Sequence, residues 1–154
     1  YHAIFEQIIT AEDVEPAVAV MFNNGEIDRD TYENLVREFS SALSCEPLRK
    51  WFDGSCKVYN EFNIIYPMDE KNDDKLKRPD RVMVFSDEVV ILDYKFGTEK
   101  HDMKYAKQVA RYKELISQMK QFSGKNVSAY IWYYFKNELV KVDSPEAITT
   151  INLS

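Results

Sequence analysis

Asp80, Asp93 and Lys95 are the residues in this chain whose types and spacing could do chemistry together. Asp80 sits in Arg78-Pro79-Asp80-Arg81, and thirteen residues later the apolar run Val89 to Leu92 ends in Asp93-Tyr94-Lys95. Side chains alternate along a strand, so Asp93 and Lys95 share one face and Tyr94 takes the other. A turn at Ser86-Asp87-Glu88 would fold residues 80–85 back along residues 89–95 and bring Asp80 beside Asp93. Two carboxylates and an amine suit metal-assisted hydrolysis of a phosphodiester. Carboxylate oxygens bind hard divalent cations such as magnesium or manganese, which polarise the phosphoryl group and stabilise the leaving alkoxide. Lys95 would add a fixed positive charge where charge develops. The plain alternative is an Asp-Lys pair at a sheet edge, a contact that contributes about 0–1 kcal/mol when exposed.

These residues need elements to carry them. His2 to Ile9 has helical apolar spacing, and Asp13 caps a second helix with Pro16 in its first turn. Ala17, Val20 and Met21 form the expected buried stripe of that helix, and Gly25 ends it. Asp28 or Asp30 opens a third helix with Tyr32, Leu35, Val36, Phe39 and Leu43 on one side, ending before Pro47; Leu48 to Phe52 adds one more turn. From Lys57 the period changes to two, which predicts a long strand to Ile65, then a polar loop over Pro67 to Lys77. Strands follow at Arg81 to Phe85 and Val89 to Lys95. Asp102 to Met119 is a helix with Met103, Ala106, Val109, Ala110, Leu115, Ile116 and Met119 as its core positions. Val127 to Phe135 and Glu138 to Val142 are the last two strands. The aromatics Tyr130, Trp132, Tyr133, Tyr134 and Phe135 could stack on bases, but such a run more often packs a sheet against a helix. Trp51 and Phe52 are expected to seal the helical layer onto the sheet.

Composition narrows the class. A chain of 154 residues with 45% hydrophobic and 30% charged residues is expected to be one domain, residues 1–154, with a single core. No apolar run approaches the roughly 20 residues of a membrane span. Cys45 and Cys56 do not form a metal knuckle, which fits reduced thiols in a cytoplasmic protein. The chain opens on Tyr1-His2-Ala3 with no leader pattern, which suggests a piece of a longer protein. Net charge is −6, but residues 1–48 hold most of the excess acid, whereas residues 95–125 are basic. Lys100, Lys104, Lys107 and Arg111 recur at three- and four-residue steps, one stripe of a helix that could face phosphates or simply solvent. His101 stands at the start of that helix.

The order of helices, three strands, helix and two strands, together with Pro79-Asp80, Asp93-Tyr94-Lys95 and Gln108-Val109-Ala110-Arg111-Tyr112, resembles the RecB-type nuclease domain of the PD-(D/E)xK superfamily. The nearest likeness is to the C-terminal nuclease domain of bacterial UvrD-like helicase-exonucleases of the AddA and RecB kind. The resemblance covers almost the whole chain and implies an α/β fold with a restriction-endonuclease-like core: a mixed central sheet flanked by helices, with an N-terminal helical layer. It implies a magnesium- or manganese-dependent DNA exonuclease acting in double-strand-break repair and recombination. Asp80 and Asp93 would be metal ligands, Lys95 the catalytic lysine, His2 a further ligand and Glu61 an acidic residue on the preceding strand. The family's glycine before that histidine is absent here. Gln108 and Tyr112, with Lys104 and Arg111 on the same helix, would touch the DNA backbone or brace the site. The implied partners are DNA, as a single strand delivered by a helicase, the rest of a helicase-nuclease chain and a partner subunit, with no membrane.

Two other readings compete. One is a DNA-binding or scaffolding module on the same fold that has lost turnover. The other is the iron–sulfur exonucleases of the superfamily, which use four cysteines where this chain has two.

Overall fold

The computed structural model describes residues 1–60, 62, 78–98 and 102–153. The chain divides into two compact units, Tyr1–Lys57 and Val58–Leu153. Among the described residues no helix is long and apolar enough to cross a membrane.

The first unit is helical: α1 (His2–Phe5), α2 (Val14–Asn23), α3 (Arg29–Ala42) and α4 (Leu48–Trp51). α1 stops well short of Ile9, because the backbone N–H groups of Ile9 and Thr10 donate to the Asp13 carboxylate at 3.0 and 2.9 Å. Donors held by a side chain three or four residues ahead are lost to a helix. In α2, Val14, Ala17 and Val18 are buried, while Val20 is 45% exposed. The buried stripe therefore starts from Val14, which fixes the i, i+3, i+4 face and turns Val20 outward. Gly25 closes α2 with φ +75°; its N–H donates to the Phe22 carbonyl, and that of Glu26 to Met21. This Schellman pair needs a left-handed residue, and glycine takes that conformation without strain. Asp28 caps α3, accepting from the Thr31 N–H at 2.8 Å. Phe39 of α3 meets Phe5 of α1 edge-on, ring centroids 4.9 Å apart. Ile4, Ile8, Leu43, Leu48, Trp51 and Phe52 are also buried.

The six-stranded sheet runs in the order β1 (Lys57–Asn60), β2 (Arg81–Val84), β3 (Glu88–Lys95), β4 (Asn126–Tyr133), β5 (Glu138–Ser144) and β6 (Ala147–Asn152). β2 and β3 are antiparallel, β3 and β4 parallel, and β4, β5 and β6 antiparallel in turn. A parallel pair needs a crossover, and α5 (Asp102–Ser117) supplies it between β3 and β4. The chain is thus a mixed α/β protein with a mixed central sheet. α5 presses Ala106, Val109, Tyr112 and Ile116 onto Val89 and Ile91 of β3 and Ile131 of β4. Odd-numbered β3 residues therefore face α5, and this parity fixes the direction of Asp93 and Lys95.

Several boundaries differ from the sequence pattern. Met103 is exposed and Tyr112 takes its expected place in the core. β4 ends at Tyr133, and Tyr134–Lys136 form a 3₁₀ turn ending at Asn137, φ 50°. Trp132, Tyr133 and Tyr134 are buried, whereas Phe135 is exposed, so most of the aromatic run is core. β6 was not anticipated. The expected strand beyond Asn60 and the loop over Pro67 to Lys77 lie outside the described residues, apart from Phe62, as do Lys100 and His101. Cys45 and Cys56 are reduced, and their thiols donate to the carbonyls of Ser41 and Trp51.

Candidate active site

The β2–β3 ladder ends at a pair of carboxylates. Its last backbone pairing is Arg81 with Leu92, which places Asp80 opposite Asp93. Pro79, buried just before, has no N–H to extend the ladder. Side chains take over: the Asp80 N–H donates to Asp93 Oδ1 at 3.1 Å, and the Tyr94 N–H donates to Asp80 Oδ2 at 2.8 Å. Each carboxylate is thus held by the opposite strand. Asp80 is 8% exposed and Asp93 3%.

Burying two carboxylates together is unfavourable unless positive charge or hydrogen-bond donors compensate. Lys95 Nζ lies 3.2 Å from Asp93 Oδ2, on the face that strand alternation dictates. The Lys95 ammonium also sits over the Tyr105 ring of α5, 4.2 Å from its centroid. On the other face of the sheet, Arg81 is fully buried. Burial pushes the Tyr94 phenol well above its ordinary range, although the Arg81 charge partly opposes this. Arg81 is thus a buried cation one residue from Asp80, a placement that nothing in the sequence pattern singles out.

His2 belongs to the first unit, where its Nδ1 pairs with Glu6 Oε1 at 3.0 Å. Glu61 lies outside the described residues. Tyr112 is 2% exposed and belongs to the core between α5 and the sheet. Gln108, one turn earlier, is half-buried. Lys104 and Lys107 are exposed on α5, and Arg111 pairs with Glu114 at 3.3 Å. Lys107, Arg111 and Lys113 border a groove of about 470 Å³ closed by Asp143 and Ser144 at the end of β5. Among the described residues, no three His, Cys, Asp or Glu side chains come together as a metal cluster.

The arrangement offers two hard oxygen donors and one ammonium. That chemistry fits magnesium or manganese better than a soft or nitrogen-preferring metal. No protein-family model and no curated protein matches the chain.

Proposed function

We propose that this chain is a metal-dependent deoxyribonuclease domain of the PD-(D/E)xK superfamily, with a restriction-endonuclease-like core. The observation that carries this reading is the carboxylate pair Asp80–Asp93, held by reciprocal backbone hydrogen bonds with Lys95 at 3.2 Å. Asp80 and Asp93 would hold the cation, and their shared burial gives it a site where charge is weakly screened. When bound, magnesium or manganese polarises the phosphoryl group and stabilises charge on the leaving oxygen. Lys95 presents its ammonium to the reacting phosphate and to the water that attacks it, so its attraction grows as charge develops. Water adds to phosphorus, the bond to the sugar oxygen breaks, and that oxygen leaves with a proton.

The substrate in this reading is a DNA strand delivered by a helicase motor in the same longer protein, as in the helicase-exonucleases that the sequence resembles. Lys104 and Arg111 on α5 would meet its phosphates, and Gln108 and Tyr112 brace the helix beside the site. His2 and Glu61 enter as ligands through the resemblance alone.

The exposed Lys104 and Lys107 of α5 would serve equally a second reading, a module that binds DNA without cutting it. Cleavage assays separate the two. With labelled single-stranded DNA and Mn²⁺ or Mg²⁺, the chain should cut. Asp93→Asn and Lys95→Ala should each lower the rate on the order of 10²–10³-fold, the scale of losing a transition-state charge partner. Both variants should remain folded at the assay temperature, as circular dichroism would show, so that a lost rate reads the chemistry and not the fold. Undiminished cleavage by either variant contradicts the assignment, and salt-dependent binding with no cleavage by the parent chain favours the second reading.

A further inference from the structure

We infer that Tyr105 is a positioning residue for Lys95, seating its ammonium beside Asp93; for catalysis this rests on the nuclease reading above. Lysine is a point charge on a flexible four-carbon stem, so one contact leaves it many rotamers. Here two contacts from different elements converge on it. Asp93 Oδ2 lies 3.2 Å from Nζ, and the Tyr105 ring face lies 4.2 Å from it. The second distance is well inside the roughly 6 Å over which a ring quadrupole attracts a cation. Lys95 keeps only 21% of its side chain exposed, so solvent weakens neither contact fully.

The ring is itself fixed by the fold. Tyr133 is the β4 partner of Lys95 in the parallel register and is buried. Its ring centroid lies 6.3 Å from that of Tyr105. Tyr105 thus leans over the two neighbouring strands at the residue pair that carries Lys95, and α5 holds it there. Lys104, at 6.0 Å from the same centroid, is at the limit of the attraction and contributes little. Tyr105 acts on the site through Lys95. Because the attraction uses the ring and not the hydroxyl, phenylalanine should replace it and leucine should not.

The test compares Tyr105→Leu with Tyr105→Phe in the whole chain, using ¹³C-labelled lysine. The Lys95 ε-methylene resonance, identified by its loss in Lys95→Ala, should be shifted upfield by the ring current in the parent and in Tyr105→Phe. In Tyr105→Leu it should move to the ordinary lysine position. The single-turnover cleavage rate should fall about tenfold in Tyr105→Leu, the size of a partly desolvated cation–ring contact. KM for DNA should stay within about twofold, as expected for an interaction made chiefly in the transition state. An unshifted parent resonance, or Tyr105→Phe as slow as Tyr105→Leu, overturns the inference. No cleavage by the parent chain overturns the nuclease reading instead, and full cleavage by Lys95→Ala the role of Lys95 in it; in both cases the resonance in the parent still reports whether the ring seats the ammonium.

Discussion

Asp80 and Asp93 accept each other's strand amides, which fixes both carboxylates but also sets two like charges side by side in a dry site. In the proposed nuclease such an arrangement would trade stability for readiness to bind a cation. Asp80→Asn keeps an oxygen for the Tyr94 N–H and removes one charge. The metal-free variant should therefore melt at or above the parent's temperature. The parent should gain about 2.7 kcal/mol from Mn²⁺ at a hundred times its dissociation constant, and Asp80→Asn should lose most of that gain. Calorimetric melts with and without metal check this; an equal gain in both proteins would show that Asp80 is not a ligand. The carboxylates and Lys95 were legible in the sequence because charges at the end of an apolar run, at alternating positions, have few structural uses. Tyr105 and Arg81 were not. Tyr105 meets Lys95 only through the crossover by which α5 packs on the sheet, and Arg81 is one basic residue among twenty until its burial is seen.

The β2–β3 hairpin presents the candidate site, and Lys125 braces its turn. The Lys125 ammonium donates to the carbonyls of Phe85 and Ser86 at 2.6 and 2.7 Å, and the Asn126 N–H donates to that of Asp87 at 3.0 Å. Lys125→Met should destabilise the protein by about 1–2 kcal/mol, the scale of losing charge-assisted hydrogen bonds at a partly exposed position. A urea melt should show a lower midpoint at unchanged slope, and an unmoved midpoint contradicts the role. The α3 cap offers a pH test. The Thr31 N–H holds the Asp28 carboxyl below the usual carboxylate range. A depressed folded-state pKa adds stability above the unfolded value, which is lost as pH falls through the folded one. Asp28→Ala should thus melt lower than the parent near neutrality, with the gap closing in acid; a pH-independent gap argues against an ionised cap.

Element types were readable where apolar spacing was regular, as in α3, β3 and α5. β6 escaped because its partly buried Ile148 and Ile151 are three apart and fall on opposite parities, so no face stands out. α1 was overextended because the Asp13 carboxylate captures the amides of Ile9 and Thr10, a competition that apolar spacing does not register.

Across the molecule, acid and base are segregated despite the net charge of −6. Under the nuclease reading, the exposed lysines of α5 supply the electrostatic attraction to DNA. Binding should weaken steeply with salt, and the double variant Lys104→Ala, Lys107→Ala should flatten the log–log slope by roughly 0.7 per lost single-strand phosphate contact. Fluorescence titrations across a salt series check this, and an unchanged slope places the DNA track elsewhere. The order of strands and the helix between them was readable from their periods, whereas a mixed sheet was expected only through the family resemblance, and no Gly- or Pro-rich linker marks the division at Lys57.

Anomalous diffraction from crystals grown with Mn²⁺ decides whether Asp80 and Asp93 together hold a hard divalent cation. The account predicts a single strong peak within about 2.5 Å of an oxygen from each of the two carboxylates. A peak bound by other residues, with the Asp80–Asp93 pair bare, would contradict it.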